Sequence, residues 1–271
     1  MSELTRGDLR LQFEVVRGPA ERVPLLFLHG LLASSKIWSE VIGELSGSRP
    51  IASLDLRGHG RSASVPGEPL DWKLAALAED VIILLDELGW ERAHVVGQSF
   101  GALLALQAAA GQPSHFASLV LTSVSADPEP LELRRRKLKT LELLERVGPE
   151  PLAQSAVLGM FGRTTRRERP ELVASFLETA QKLDRRAFSA VARAGIERSD
   201  LGPITSMIRC PCLVVRGAED ELIAEPAAAR LAQLLAADLV AIPGAGHLVP
   251  LEKPEPFARA LAGFFRQIDR S

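Results

Sequence analysis

The sequence predicts an α/β chain in which a mostly parallel sheet is wound on both faces by helices. Three observations predict it. Short apolar runs of strand length alternate with longer stretches of helical spacing, the order that builds a parallel sheet. One strand-to-helix joint, Gly97-Gln98-Ser99-Phe100-Gly101, carries the pattern G-x-S-x-G, which sets a serine on a sharp turn. Between Pro128 and about Leu201 the alternation stops, and only helical patterns broken by glycine and proline are found. A chain of 271 residues, 46% hydrophobic and 24% charged, has the composition of a globular protein and can bury a sizeable core as one domain.

Taken in chain order, Leu9–Val16 alternates apolar and polar residues, as a half-exposed strand does, and is expected at the antiparallel edge. Residues 23–28, 51–54, 93–96, 119–122, 212–215 and 239–242 are short apolar runs and read as buried strands. Residues 73–88, 102–110, 227–235 and 255–268 read as the helices between and after them.

The joint at Ser99 has a chemical reading. Gly97 and Gly101 lack a Cβ, so strand and helix can approach closely. The serine hydroxyl then stands near a helix N-terminus that favours negative charge. At neutral pH such a hydroxyl is a weak nucleophile and needs a base, commonly a histidine oriented by a carboxylate. Five histidines are present: His29, His59, His94, His115 and His247. His247 lies in Pro243-Gly244-Ala245-Gly246-His247, just past the run 239–242. That is the C-terminal end of a late strand, where parallel sheets place their chemistry. Asp220 holds the same position one strand earlier, in Arg216-Gly217-Ala218-Glu219-Asp220. The chain order serine, acid, histidine selects these two. Asp127, in the loop after 119–123, is the second candidate for the acid, and Asp220 also reads as a turn cap before 225–226. The Glu219 side chain is expected to point away from that of Asp220, with Glu221 and Glu225 solvated.

Further stretches carry a resemblance. His29-Gly30-Leu31-Leu32 follows the apolar Pro24-Leu25-Leu26-Phe27-Leu28, and Trp38 comes soon after. Asp55-Leu56-Arg57-Gly58-His59-Gly60-Arg61-Ser62 forms a D-x-R-G-x-G-x-S turn. Gly246-His247 is followed by Pro250, Glu252 and Pro254. On these residues, over almost its whole length, the chain resembles the α/β-hydrolase-fold proteins of the esterase, lactonase and cofactor-free haloperoxidase-like group. The resemblance implies a sheet of about eight strands with a helical cap inserted after strand 6. The core would be residues 1–127 and 202–271, and the cap, a lid over Ser99, residues 128–201. It implies that Ser99, His247 and Asp220 are nucleophile, base and orienting acid. The backbone N–H groups of Phe100 and Leu31 would form the oxyanion hole. His29 would hold its loop by hydrogen bonding and His59 would be structural, whereas His94 and His115 read as surface or strand-edge residues. Trp38, Leu158, Met160, Phe161, Leu222 and Leu248 are the candidates for the substrate pocket, with Leu152 and Val157 beside them in the lid.

The function implied is cleavage of a small-molecule carboxylic ester, lactones included, through an acyl-enzyme. Serine at the joint argues against relatives with an aspartate nucleophile there, the epoxide hydrolases and haloalkane dehalogenases. Two alternatives stay open: perhydrolysis, carbon–carbon or thioester cleavage by the same triad, and a ligand receptor with little turnover. No cofactor or metal is expected, since neither a glycine-rich phosphate loop nor a metal-ligand cluster is visible. Cys210 and Cys212 flank Pro211 and are too few for a disulfide framework or a closed zinc site, so they read as reduced thiols. A net charge of −2 gives no sign of nucleic-acid binding. No apolar run approaches the roughly 20 residues of a membrane span. The first residues lack the apolar core of a signal peptide, so the expected location is the cytoplasm, as a monomer or homodimer. The basic runs at 134–139 and 163–169 read as solvated helix faces, with attraction of acidic substrates the weaker alternative.

Overall fold

Uninterrupted runs of leucine, valine and isoleucine make strands that must be covered on both faces. The computed structural model describes residues 2–62, 70–147 and 150–270, and only the backbone of residues 147, 150–153 and 155. Its strands are β1 (Ser2–Arg6), β2 (Leu9–Val16), β3 (Leu25–Leu28), β4 (Ile51–Leu54), β5 (Ala93–Gln98), β6 (Phe116–Thr122), β7 (Cys212–Gly217) and β8 (Asp238–Ile242). They form one sheet in the order β1-β2-β4-β3-β5-β6-β7-β8. The six strands from β4 to β8 in that order are parallel, and β1 and β2 are antiparallel.

The expected edge strand, Leu9–Val16, is therefore the second strand in. Ser2–Arg6 lies outside it, joined by the two-residue turn Gly7-Asp8. Gly7 takes φ +54°, the positive value that a type II′ hairpin needs at its first turn residue. Only Leu4 of β1 is buried, so this strand carries little hydrophobic pattern of its own.

The helices are α1 (Ser39–Leu45), α2 (Leu74–Glu87), α3 (Phe100–Gly111), α4 (Leu131–Val147), α5 (Glu150–Met160) and α6 (Arg163–Glu168). They continue with α7 (Pro170–Ala180), α8 (Arg185–Ile196), α9 (Gly202–Thr205), α10 (Glu225–Leu234), α11 (Val249–Glu252) and α12 (Pro254–Ile268). Successive strand residues alternate between two cores, as a period of two requires. Leu26, Leu28, Val95 and Leu121 meet α2, α3 and α10 on one face. Leu25, Phe27, Val96 and Val215 meet α1, α11 and α12 on the other. Helix α3 is apolar all round because it is almost wholly buried.

Among the described residues six helices, α4 to α9, run between β6 and β7, of which α4 to α8 fall within 128–201. Leu141 and Leu144 of α4 pack on Phe188, Ala192 and Ile196 of α8, a small core of their own. The two connections to the sheet are stapled to each other. Leu201 N–H donates to Ala126 O at 2.9 Å, and Arg198 donates to the carbonyls of Asp127 and Gly195, each at 2.7 Å. Among the described residues no helix is long and apolar enough to cross a membrane. Cys212, at the start of β7, is buried and donates to Cys210 O at 3.3 Å, and both cysteines are free.

His94 corrects its reading as a surface or strand-edge residue. It is fully buried in β5, 2.7 Å from Ser118 Oγ on β6 and against the Phe265 ring of α12. Those partners lie far away in sequence. His115 is half-buried, 3.3 Å from Asp86. Burial, reinforced by the Arg49 guanidinium, pushes the His94 pKa down to about 4. The unfolded chain, with an ordinary histidine pKa near 6.5, then binds a proton that the folded chain refuses. The stability this gives is fully present above about pH 6.5 and is lost as the pH falls towards 4. Urea unfolding between pH 7 and 5 should show it, and His94→Gln should remove up to about 1.4 kcal/mol per pH unit of slope between pH 6 and 5.

Candidate active site

The site is built from loops at the C-terminal ends of the parallel strands, and the joint between β5 and α3 sets its centre. Ser99 takes φ 51° and ψ −112°, a conformation unusual for a residue with a Cβ. Its N–H donates to Thr122 O at 2.8 Å, and its own carbonyl accepts from the N–H groups of Ala102 and Leu103. A Cβ on Gly97 would stand 2.5 Å from Ala102 Cα, and one on Gly101 would collide with the carbonyls of Leu28 and His29. Both glycines are thus required by contact, and the second seats α3 against the end of β3.

His247 and Asp220 reach Ser99 from the ends of β8 and β7. Ser99 Oγ lies 2.9 Å from His247 Nε2, and His247 Nδ1 lies 3.2 and 3.1 Å from the two Asp220 oxygens. With the ring proton on Nδ1, facing the carboxylate, Nε2 is free to accept the serine proton. Asp220 is buried, which alone would raise its pKa. The His247 ring and the Ile223 N–H outweigh burial and hold it below the usual carboxylate range. Its Oδ1 also accepts from Leu222 N–H at 2.9 Å and Ile223 N–H at 3.0 Å. Asp127, the second candidate, is bound instead by Arg230 at 2.9 Å and Ser125 at 3.1 Å.

Gly30 places the β3 loop beside the serine, since a Cβ there would stand 3.1 Å from Ser99 Cβ. Leu31 follows immediately, and Phe100 opens α3. Among the described residues, neither of these N–H groups is hydrogen-bonded within the protein. His29 braces this loop. Its Nε2 accepts from Leu56 N–H at 3.0 Å, so the ring proton sits on Nδ1 and donates to Gly30 O at 2.7 Å. Asp55 braces it further along, accepting from Ser35 N–H at 2.7 Å and from Arg61 N–H and Nε at 3.0 and 2.9 Å. Ser62 closes that turn on Asp55 O at 2.6 Å. The role of the D-x-R-G-x-G-x-S turn is therefore to anchor the loop that carries Leu31. His59 lies under it, 5.3 Å ring to ring from His29, where burial and that neighbour lower its pKa to about 3.

The pocket candidates divide by burial. Trp38 is fully buried between Phe27 and Phe257, at 4.8 and 6.1 Å, and serves as core. Met160, Phe161, Leu248 and Val157 are buried in the same core face, Phe161 edge-on to Phe176 at 5.5 Å. Leu158 and Leu222 are exposed to solvent, and the side chain of Leu152 lies outside the described residues. A cleft of about 200 Å³ opens between residues 33–37 and α7, lined by Ser34, Ile37, Leu172, Phe176 and Leu251 among others and by none of Ser99, Asp220 and His247.

Glu252 and Glu219 form contacts that the sequence reading did not assign. Glu252 is buried and accepts three backbone N–H groups, from Gly246 at 2.9 Å, Leu248 at 3.1 Å and Gly162 at 2.8 Å. Burial raises its pKa, and the three donors oppose that rise. Glu219 turns away from Asp220 and accepts from Thr164 N–H at 2.8 Å and Thr164 Oγ1 at 2.6 Å. Glu252 was visible as part of the Gly246-His247 pattern, but its three partners were not.

The close contacts at the joint have a measurable consequence. Gly101→Ala should destabilise the protein by about 2 kcal/mol, read as a lower Tm. The control is Gly43→Ala on α1, where an added methyl meets nothing within 4 Å and a neutral or slightly higher Tm is expected.

The comparisons agree with the fold. The family described as "alpha/beta hydrolase fold" matches residues 23–254. A protein of Variovorax paradoxus, provisionally named carbamate hydrolase RutD, is 30% identical over 95% of this chain and 97% of its own. 3-Oxoadipate enol-lactonase 2 of Acinetobacter baylyi is 24% identical over 98% of this chain and 97% of its own. Among solved structures, a thermophilic esterase from Thermogutta terrifontis superimposes with a TM-score of 0.90 at 26% identity, covering 99% of each chain. The match of a family model to most of the sequence, together with the eight-stranded sheet, shows that this chain belongs to the α/β-hydrolase fold family.

Proposed function

We propose that this chain is a serine hydrolase that cleaves carboxylic esters, lactones among them, through an acyl-enzyme on Ser99. The observation that carries the reading is the hydrogen-bonded line from Ser99 Oγ to His247 at 2.9 Å and on to Asp220. Ser99 Oγ attacks the carbonyl carbon while His247 Nε2 takes its proton. Asp220 holds the ring and stabilises its charged form. The Leu31 and Phe100 N–H groups receive the oxyanion, with the N-terminus of α3 behind them. His247 then protonates the leaving alkoxide, which departs as the alcohol. Water, deprotonated by His247, attacks the acyl carbon, and collapse of that intermediate frees the acid and restores the Ser99 hydroxyl.

The helices α4 to α8 are read as a lid over this centre. Two contacts support that placement: His247 N–H donates to Met160 O at 2.8 Å, and Gly195 of α8 lies against the Phe100 ring. Lids of this kind exclude water and shape the acyl pocket. Carbamates are the second substrate class. The relative that is 30% identical carries that name, and the same attack on a carbamate carbonyl needs no other groups.

The test is hydrolysis of p-nitrophenyl esters from acetate to dodecanoate, with phenyl carbamates in parallel. Ser99→Ala should lower kcat by about 10³-fold or more, and a fluorophosphonate should label the wild type at Ser99 alone. Turnover that survives Ser99→Ala would reject the mechanism. The basic lid faces generate a second expectation. Arg135 pairs with Glu132 at 2.9 Å, Lys137 with Glu129 at 2.7 Å and Arg167 with Glu168 at 2.7 Å. So paired and solvated, they are largely screened. Exchange of Arg134, Arg135 and Arg136 for serine should leave the ratio of anionic to neutral ester turnover within about twofold. A selective fall for anionic esters would instead show steering.

A further inference from the structure

We propose that Glu252 is a positioning residue, whose carboxylate locks the base loop onto the lid joint at Gly162. The proposal rests on the reading of His247 as the base. It begins with the backbone around that histidine. Residues 246–248 lie between β8 and α11, in no regular element, so their N–H groups have no ladder or helix to satisfy them. All three are nevertheless bonded. Gly246 and Leu248 donate to Glu252 Oε1, and His247 donates to Met160 O at the end of α5. The second Glu252 oxygen takes the N–H of Gly162, two residues further along the lid.

One buried carboxylate thus holds both neighbours of His247 and, through its other oxygen, the lid segment that holds His247 itself. The backbones are packed tightly enough that a Cβ on Gly162 would stand 2.8 Å from Gly246 N. Glu219 repeats the device at the acid loop. It binds Thr164, and its own N–H donates to Ala245 O at 2.8 Å. Residues 160–164 are therefore tied to the loops of both His247 and Asp220, and seating of this joint sets the imidazole's aim at Ser99.

Only a carboxylate meets the geometry. Its two oxygens offer about four acceptor sites, and three N–H groups point at them. A glutamine would turn an NH₂ group towards one or two of those donors. An aspartate keeps the charge but is one methylene short of spanning both loops. Displacement of a reacting group by a fraction of an ångström to one ångström is enough to slow turnover on the order of tenfold to a hundredfold.

The experiment is steady-state hydrolysis of p-nitrophenyl acetate by Glu252→Gln and Glu252→Asp. Rates are normalised to active sites counted by complete fluorophosphonate labelling. The expected result is a fall in kcat per titrated site on the order of tenfold to a hundredfold for Glu252→Gln, with KM within about threefold. Glu252→Asp should fall by less, with KM again unchanged. A residue needed only for folding would lower the titrated fraction and leave kcat per site untouched. Wild-type kcat per site in Glu252→Gln would overturn the proposal. If that variant fails to fold, wild-type kcat per site in Glu252→Asp would overturn it. Ser99→Ala and His247→Ala run alongside separate this outcome from failure of the underlying mechanism. If those two retain turnover, the triad reading falls whatever Glu252 does.

Discussion

The turn at Ser99 is the constraint to which the rest of the molecule is fitted. A residue with a Cβ at φ 51° costs on the order of 1–3 kcal/mol and persists only when its surroundings leave no alternative. Here the surroundings are a central strand flanked on both sides, a backbone bond to Thr122 O, and an almost wholly buried helix whose first carbonyl acceptor is Ser99 itself. Relaxation of the turn would have to unseat α3 from the sheet. Among the described residues, two of the other three non-glycine residues at positive φ, Leu32 and Ser123, also lie in loops beyond the C-terminal ends of strands near this turn. Conformational strain is thus concentrated where the strands end.

A second regularity concerns how irregular loops are held. Asp55, Glu219 and Glu252 each accept backbone N–H groups from a distant segment of chain, and Asp220 accepts two from its own loop. Loops cannot satisfy such donors by a ladder, and buried donors must be satisfied. A carboxylate is suited to this because its bonds are charge-assisted and it takes several donors at once. The molecule uses four of them around one centre, of which Asp220 also faces the imidazole.

What the sequence disclosed follows from the range of the interactions involved. The parallel strands and most core helices were legible because burial on both faces writes continuous apolar runs. Ser99, Asp220 and His247 were legible as candidates because each sits in a short local pattern at a strand end. Helix α1 was not found, since seven residues carry too little periodicity. The edge strand β1 has one local signal, the Gly7-Asp8 turn, and too little pattern to mark it as a strand, because only Leu4 lies on the buried face. His94 was misplaced because its surroundings come from Ser118, Arg49 and Phe265. The burial of the pocket candidates was not legible for a related reason. An apolar residue near the site, such as Trp38 or Leu248, is drawn into whatever core lies closest, and which one is decided by packing of distant segments. The bonds of Glu252 join residues up to ninety positions apart, and no periodicity records them.

The staple at Arg198 and Leu201 has a consequence for how such a molecule can change. The segment between β6 and β7 leaves the sheet and returns to it at points already bonded to each other, Ala126 O to Leu201 N–H at 2.9 Å. Whatever length of chain is threaded between those points, the strands beneath meet the same boundary. The entropy of closing a longer loop grows only with the logarithm of its length. The exposed parts of residues 128–200 can therefore change in length at little cost to the sheet, whereas Val157, Phe161, Val173, Phe176 and Val191 are built into its cores and 160–164 grip the loops below. Variation is free on the outer faces of the insert and restricted at its grip and its buried faces, so one scaffold can be offered different roofs on a single set of fastenings.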